Sequence, residues 1–99
     1  MVYKPLPDSL TIKESTIQGL GLFAVERIPA DRFLGMGWIK AELAQDGVWR
    51  TPLGGFINHS DTPNCVKVDP SSLYIFLSVG DNDIEAGEEL TVKYTLYNV

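Results

Sequence analysis

Between positions 56 and 64 the chain reads Phe-Ile-Asn-His-Ser-Asp-Thr-Pro-Asn, and between positions 84 and 94 it reads Ile-Glu-Ala-Gly-Glu-Glu-Leu-Thr-Val-Lys-Tyr. The first stretch sets a polar loop between an apolar pair and a strand-like run that begins at Cys65. The second passes from a polar turn into alternating apolar and polar residues, which is typical of a half-buried strand. A third stretch, Gly-Leu-Gly-Leu-Phe-Ala at positions 19–24, lies upstream.

The bulk properties indicate one small domain. A length of 99 residues predicts a single folded unit over residues 1–99. No apolar run approaches the ~18 residues needed to cross a bilayer, and the first residues lack the apolar centre of a signal peptide. The single Cys65 cannot form an internal disulfide, which fits a reducing compartment such as the cytoplasm.

The charge balance bears on partners. Eight basic and thirteen acidic residues give a net charge of −5. The chain has no stripe of Lys and Arg that could neutralise a run of phosphates, so we expect no direct binding to nucleic acid. Because no apolar run is long enough to span a bilayer, we expect no membrane partner either. An acidic surface attracts a basic partner such as a lysine-rich peptide, although a mild negative charge also simply keeps a protein soluble.

Hydrophobic patterning predicts a mostly β fold of short strands. We expect strands over residues 9–13, 22–25, 32–39 and 89–94, and a hairpin of residues 65–69 and 73–79 around Pro70-Ser71-Ser72. The run 73–79 is apolar at nearly every position, which predicts burial on both of its faces. Pro29 and Asp31 mark a turn, and residues 40–45 read as one or two helical turns closed by Gly47.

Two known motifs are matched in part, but the neighbouring residues argue against both. Gly-Leu-Gly-Leu-Phe-Ala matches a dinucleotide-binding fingerprint, but such a fingerprint must open a helix, and glycine and proline interrupt the residues that follow. Two glycines here either form a tight turn or let the backbone approach a ligand closely. The acidic run 81–87 resembles a calcium loop, but Ala86 stands where that loop needs glycine.

The single polar residues are ambiguous when each is taken alone. His59, the only histidine, supplies at most two metal ligands together with Cys65, so a metal site has little support. Asn58 and Asn64 could buttress a turn or fix a zwitterionic ligand, and spacing alone favours the turn. Tyr94 alone would be a core tyrosine whose hydroxyl finds a partner.

The three stretches in this order resemble the signature motifs of SET-domain protein lysine methyltransferases. The resembling parts are Gly-x-Gly near the start, Asn-His-Ser followed by Pro-Asn, and Gly-Glu-Glu-Leu-Thr-x-x-Tyr near the end. Each part is weak by itself, but together they span nearly the whole chain. The resemblance implies the β-clip fold of small curled sheets, with a C-terminal pseudoknot in which the last segment tucks beneath the loop preceding Asn58.

The same resemblance implies S-adenosylmethionine as the methyl donor and a protein lysine as the acceptor. Gly19, Leu20 and Gly21 match the loop that lies along the cofactor. Asn58 and His59 match the positions that hold its amino-acid and adenine parts, and Phe56 lines the same pocket. Tyr94 matches the tyrosine placed beside the transferring methyl group, which makes it the implied catalytic residue.

Departures from the family pattern concern the substrate side. Only 36 residues lie between Gly21 and Asn58, so the insert that normally forms one wall of the peptide groove is largely absent. Gly55 replaces an arginine common just before the Phe-Ile-Asn-His-Ser run, and Asp61 stands where a cysteine is common. A second subunit could complete the groove, because trimmed domains with exposed strand edges often pair, and a homodimer is therefore among the expected states.

Two hypotheses follow. The first is a minimal bacterial or viral type of lysine methyltransferase that acts in the cytoplasm or inside a host cell. The second is a non-catalytic SET-like module that binds a peptide or partner without turnover. Retention of Asn58 and Tyr94 favours the enzyme, and the shortened middle favours the module.

Overall fold

Strands make up nearly all of the regular structure. The computed structural model describes residues 6–41, 43, 47–69 and 73–93. Its elements follow one another as β1 (Leu10–Glu14), β2 (Leu20–Ala24), β3 (Phe33–Lys40), β4 (Val48–Arg50), α1 (Pro52–Phe56), β5 (Asn58–His59), β6 (Cys65–Val68), β7 (Tyr74–Val79) and β8 (Glu89–Val92). They form two four-stranded sheets, ordered β1-β2-β8-β5 and β4-β3-β7-β6. None of the helical segments in the described ranges is long and apolar enough to cross a membrane.

The first sheet joins the two ends of the described chain. β1 and β2 pair antiparallel, and β2 pairs antiparallel with β8 through Leu22 opposite Leu90. β8 also pairs in parallel with β5, with Asn58 opposite Thr91. Because β8 lies between β2 and β5, it aligns the glycine-containing stretch with the Asn-His-Ser stretch.

The second sheet is an antiparallel meander whose central strand is kinked by glycines. β3 pairs with β4, β7 pairs with β3, and β6 pairs with β7. The β3–β7 register shifts between Phe33 and Gly35 and again between Met36 and Trp38. Gly35 has φ of 140°, a conformation open to glycine but costly for other residues, so it suits the first bulge.

One core joins the inner faces of both sheets and the helix. Its residues are Leu10, Leu22, Ala24, Ile28, Leu34, Trp38, Val48, Leu53, Ile57, Cys65, Ile75, Leu77, Val79, Ile84, Leu90 and Val92. Cys65 lies deep in this cluster, and its burial raises the pKa of the thiol to about 12, with the Glu88 carboxylate acting in the same direction. The thiol is therefore an apolar packing group at neutral pH.

The short helix α1 is anchored to β3 by its N-cap. The Thr51 hydroxyl donates to Met36 O at 2.8 Å and accepts from Gly54 N at 3.3 Å, and Pro52 follows at the first helical position. Threonine before proline is a favourable helix start. A Cβ at Gly54 would collide with the carbonyl oxygen of Gly37 and lie 2.8 Å from the Trp38 ring, so only glycine allows this approach.

Most of the predicted elements are confirmed with small shifts. The mostly β architecture holds, and the predicted strands at residues 9–13, 22–25 and 32–39 correspond to β1, β2 and β3. The predicted hairpin is formed by β6 and β7, while its turn at residues 70–72 lies outside the described residues. The predicted turn near Asp31 is present, and Asp31 itself has φ of 62°.

Two expectations are wrong. Lys40 is not helical but ends β3, opposite Val48; residues 42 and 44–46 of the expected helical turns lie outside the described residues. β7 is not buried on both faces: Ile75, Leu77 and Val79 are buried, whereas Tyr74 is 39% exposed and Phe76 and Ser78 are half-buried. Buried and more exposed residues alternate along β7 because the core lies on only one side of its sheet. Tyr94 and the expected pseudoknot segment also lie outside the described residues.

Gly54 and Gly55 offer a matched test of how closely α1 packs on β3. We expect Gly54→Ala to destabilise the protein by about 1–3 kcal/mol, because the new methyl group has no room beside Gly37 and Trp38. Gly55→Ala places its methyl group 3.8 Å from Arg50 Cβ, an ordinary contact, and should be neutral or slightly stabilising. Urea unfolding of both variants checks this, and equal stabilities would contradict the packing described.

Candidate functional site

β8 brings together two stretches that are distant in sequence. Its parallel pairing with β5 sets Asn58 beside Thr91, and its antiparallel pairing with β2 sets Phe23 beside Glu89. Leu90, Thr91 and Val92 are all buried, so β8 is fixed by packing as well as by its two neighbours. The polar side chains of Asn58 and Glu89 consequently meet next to the start of β2.

The Asn58 side chain is held by hydrogen bonds from its amide nitrogen, Nδ2. Nδ2 lies 2.8 Å from Glu89 Oε2, 3.1 Å from Ser15 Oγ, 3.2 Å from Gln18 O and 3.4 Å from Leu20 O. Such a set of acceptors requires the amide nitrogen at this position rather than the oxygen. The other terminal atom, Oδ1, has no hydrogen-bond partner among the described residues, so it remains a free acceptor.

Ser15 connects this amide to the glutamate. Its hydroxyl lies 2.8 Å from both carboxylate oxygens of Glu89. The same oxygen accepts from Ile17 N at 2.9 Å, which fixes the turn between β1 and β2. A half-buried carboxylate at the head of a buried strand needs such donors, because burial without hydrogen bonds is costly. We call Ser15, Asn58 and Glu89 the polar cluster.

The glycine stretch lies directly against the polar cluster. A Cβ at Gly21 would collide with Glu89 Oε2 and lie 3.1 Å from Asn58 Nδ2, so this position has room only for glycine. Gly19 has φ of 48° and nothing within 4 Å of where its Cβ would be, so its turn faces open space. Leu20, between them, is 49% exposed. The predicted loop and Asn58 therefore lie side by side.

The loop that follows β5 is tied to β8 by a second asparagine. Asn64 Oδ1 accepts from Thr91 N at 2.8 Å, and its Nδ2 donates to Glu89 O at 2.8 Å. Nδ2 also donates to Glu88 Oε2 at 3.1 Å. The Asn64 side chain thus imitates a strand partner of β8. Its role is the buttressing one considered for both asparagines.

The remaining predicted site residues lie around this centre. His59 is partly exposed, and its Nε2 lies 3.1 Å from Asp61 Oδ1, within its own loop. Phe56 ends α1 and packs against the core. Neighbouring strand residues point to opposite sides, so the His59 and Asn58 side chains do not share a face. Tyr94 lies outside the described residues.

Sequence reasoning missed Ser15 and gave Glu89 no role of its own. Only Glu89 carries a signal in the sequence, because a charged residue at the start of a buried strand must find hydrogen-bond donors. Nothing local marks Ser15, because its partners are 43 and 74 positions away in the chain.

Metal binding finds no support in the part of the chain that the structure describes. No three His, Cys, Asp or Glu side chains there are placed to hold one ion. In the acidic run 81–87, Asp83 has a structural role, since its carboxylate accepts from Ala30 N at 2.8 Å and pairs with Arg27. These two bonds, the backbone one first, hold the pKa of Asp83 below its usual range.

Comparison with known proteins identifies the class. The family model of the SET domain matches residues 36–95, more than half of the chain. The chain therefore belongs to the SET-domain family. Its fold matches a crystal structure from Plasmodium falciparum described as a "putative histone methyltransferase", with a TM-score of 0.68, 21% identity, and coverage of 92% of this chain and 96% of that one. In all, 139 chains of solved structures match. A search of curated proteins finds no match.

Glu89 and Glu14 test the polar cluster. We expect Glu89→Ala to destabilise the protein by about 1–3 kcal/mol, because Ser15 and Asn58 lose their shared acceptor. Glu14→Ala removes the same charge from an exposed position at the end of β1 and should change stability by less than about 0.5 kcal/mol. Urea unfolding measures both. If the two variants were equally stable, the cluster would not be a structural hub.

Proposed function

We propose that this protein transfers a methyl group from S-adenosylmethionine to the side-chain amine of a lysine in a protein. The observation that carries the proposal is the Asn58 amide, which is locked by its nitrogen against the Gly19–Gly21 turn while its oxygen stays available. Membership of the SET-domain family supports the same reaction class.

The residues present fit the cofactor. S-adenosylmethionine carries an ammonium group, which needs hydrogen-bond acceptors, and Asn58 Oδ1 is such an acceptor. The open space beside Gly19 lets a ligand approach the backbone closely. The Glu89 carboxylate, 2.8 Å from Asn58 Nδ2, gives this corner a negative charge that complements the two positive charges of the cofactor. Gly19, Leu20, Gly21, Phe56, Asn58 and His59 would form its surroundings.

The chemistry supplied by the bound cofactor is an electrophilic methyl group on a positively charged sulfur. The protein must deliver a neutral amine to it, since a lysine ammonium has no lone pair. Removing that proton at pH 7 costs about 4–5 kcal/mol in water. A narrow apolar channel lowers the cost because desolvation destabilises the charged amine. Only the proton removed before the attack would leave to solvent, and the methylated lysine would keep its two remaining protons and the positive charge that the sulfur gives up.

Tyr94 is the residue we assign to alignment of the amine. The assignment rests on its place in the Gly-Glu-Glu-Leu-Thr-x-x-Tyr motif, two positions after the end of β8. β8 is also the strand that pairs with β5 and sets Thr91 beside Asn58. A hydroxyl there would direct the amine lone pair toward the methyl carbon, which is a positioning role.

A lysine-containing protein or peptide is the substrate class, and the net charge of −5 favours a basic one. The structurally similar protein from Plasmodium falciparum is named a "putative histone methyltransferase", and histones are basic proteins. A reducing compartment, the cytoplasm or a host cell interior, fits the single buried thiol of Cys65.

Tyr94→Phe tests the catalytic assignment. We expect formation of methyl-lysine on a panel of lysine-rich peptides, followed by mass spectrometry, to fall by at least about 100-fold. The affinity for S-adenosylmethionine, measured by calorimetry, should change by less than about threefold because only one hydroxyl is removed.

The outcomes separate the role of Tyr94 from the proposal itself. Unchanged methylation by Tyr94→Phe would remove Tyr94 from the mechanism and leave the reaction in place. Cofactor binding without methylation of any peptide, in the unmodified protein, would overturn the proposal in favour of a module that binds a partner without turnover.

A further inference from the structure

The second sheet carries an apolar surface on the side that faces away from the core. Cross-strand partners project to the same side of a sheet, so the register defines three rows. The rows are Trp49-Ile39-Tyr74, Met36-Phe76-Val68 and Phe33-Ser78-Val66. We call these nine residues the outer sheet face. Ring contacts within it, 5.6 Å between Phe33 and Phe76 and 6.2 Å between Tyr74 and Phe76, confirm that these side chains lie together.

The outer sheet face has no charged member. Ser78 is its only residue outside the apolar and aromatic types, and its hydroxyl already donates to Arg32 O at 3.1 Å. Much of the surface is open: Phe33 is 61% exposed, Trp49 59% and Val66 46%. An antiparallel sheet with one solvated face normally alternates apolar and polar residues, so a face of this composition indicates a covering partner.

We infer that two copies of this chain pair through the outer sheet face. Its five most exposed side chains alone leave on the order of 500 Å² open per copy. A symmetric contact therefore buries about 1,000 Å², the lower limit for a specific interface. A two-fold contact uses the same patch on both subunits. Two apolar sheets stack about 10 Å apart with their strands nearly aligned, as in a sandwich core.

The charge distribution permits this pairing. Two copies with a net charge of −5 repel each other unless the surfaces that meet are free of acidic groups. The four strands of the second sheet contain only basic charged residues, namely Lys40, Arg50 and Lys67. Self-association through this sheet therefore brings no carboxylates of these strands together.

The proposed surface differs from the one that sequence reasoning suggested. Exposed strand edges were the expected contact, whereas the apolar residues here lie across the sheet, including its interior strands β3 and β7. The distinction is testable because Phe33 on β3 and Val66 on β6 lie on opposite sides of β7, so pairing at a single sheet edge cannot involve both.

The experiment is analytical ultracentrifugation of the full chain and three variants, from about 1 to about 100 µM. We expect a reversible dimer whose dissociation constant rises at least about tenfold in Phe33→Glu and in Val66→Glu, because each buries a carboxylate against its copy. Val25→Glu is the matched control: Val25 is also an exposed apolar residue, at 52%, but lies outside the second sheet, so its dissociation constant should stay unchanged.

Circular dichroism of each variant checks folding, and Val66→Glu keeps the test valid if Phe33→Glu is destabilised by loss of its contact with Phe76. A monomer throughout the concentration range would overturn the inference. A dimer equally sensitive to all three substitutions, or to none, would overturn it too, since pairing would then use another surface or the face would be covered by a different protein.

Discussion

The two-sided pairing of β8 is the constraint on which the rest of the structure depends. β8 is four residues long, yet it pairs antiparallel with β2 and in parallel with β5. Asn64 extends this pairing with side-chain bonds to Thr91 N and Glu89 O. Burial of Leu90 and Val92 disfavours a slip of β8 by one residue, because such a slip would turn these side chains away from the core. The polar cluster forms as a consequence of that register.

Close approach is the second theme of the fold, and glycine makes it possible at two points. Gly54 lets α1 lie on the carbonyl of Gly37, and Gly21 lets β2 pass beneath the Glu89 carboxylate. The first contact closes the core between the helix and β3. The second places the loop before β2 against Asn58. Core packing and the geometry of the site therefore both depend on a glycine that lacks a Cβ.

The sequence predicts most of this architecture because its signals are local. Alternating residues in β1, β3 and β8, and the glycine bulges of β3, are visible in short windows. Helix α1 is not predictable in this way, because Pro-Leu-Gly-Gly is typical of a turn and its glycines disfavour a helix. The helix forms because its contacts with β3 stabilise it. The exposed side of β7 is not predictable either, because an apolar run does not reveal whether a partner covers both faces. Of the site, Asn58 and the glycine turn follow from the family resemblance, while the link through Ser15 depends on tertiary structure alone.

The central claim is that the locked Asn58 amide and the Gly19–Gly21 turn bind S-adenosylmethionine. Calorimetric titration of the cofactor into the purified protein tests it most directly, with Asn58→Ala beside Asn82→Ala, a matched change in an exposed loop. We expect a dissociation constant on the order of micromolar, weakened at least about tenfold by Asn58→Ala and unaltered by Asn82→Ala. Absence of binding by the folded protein at about 1 mM cofactor, or equal affinity in all three proteins, would contradict the claim.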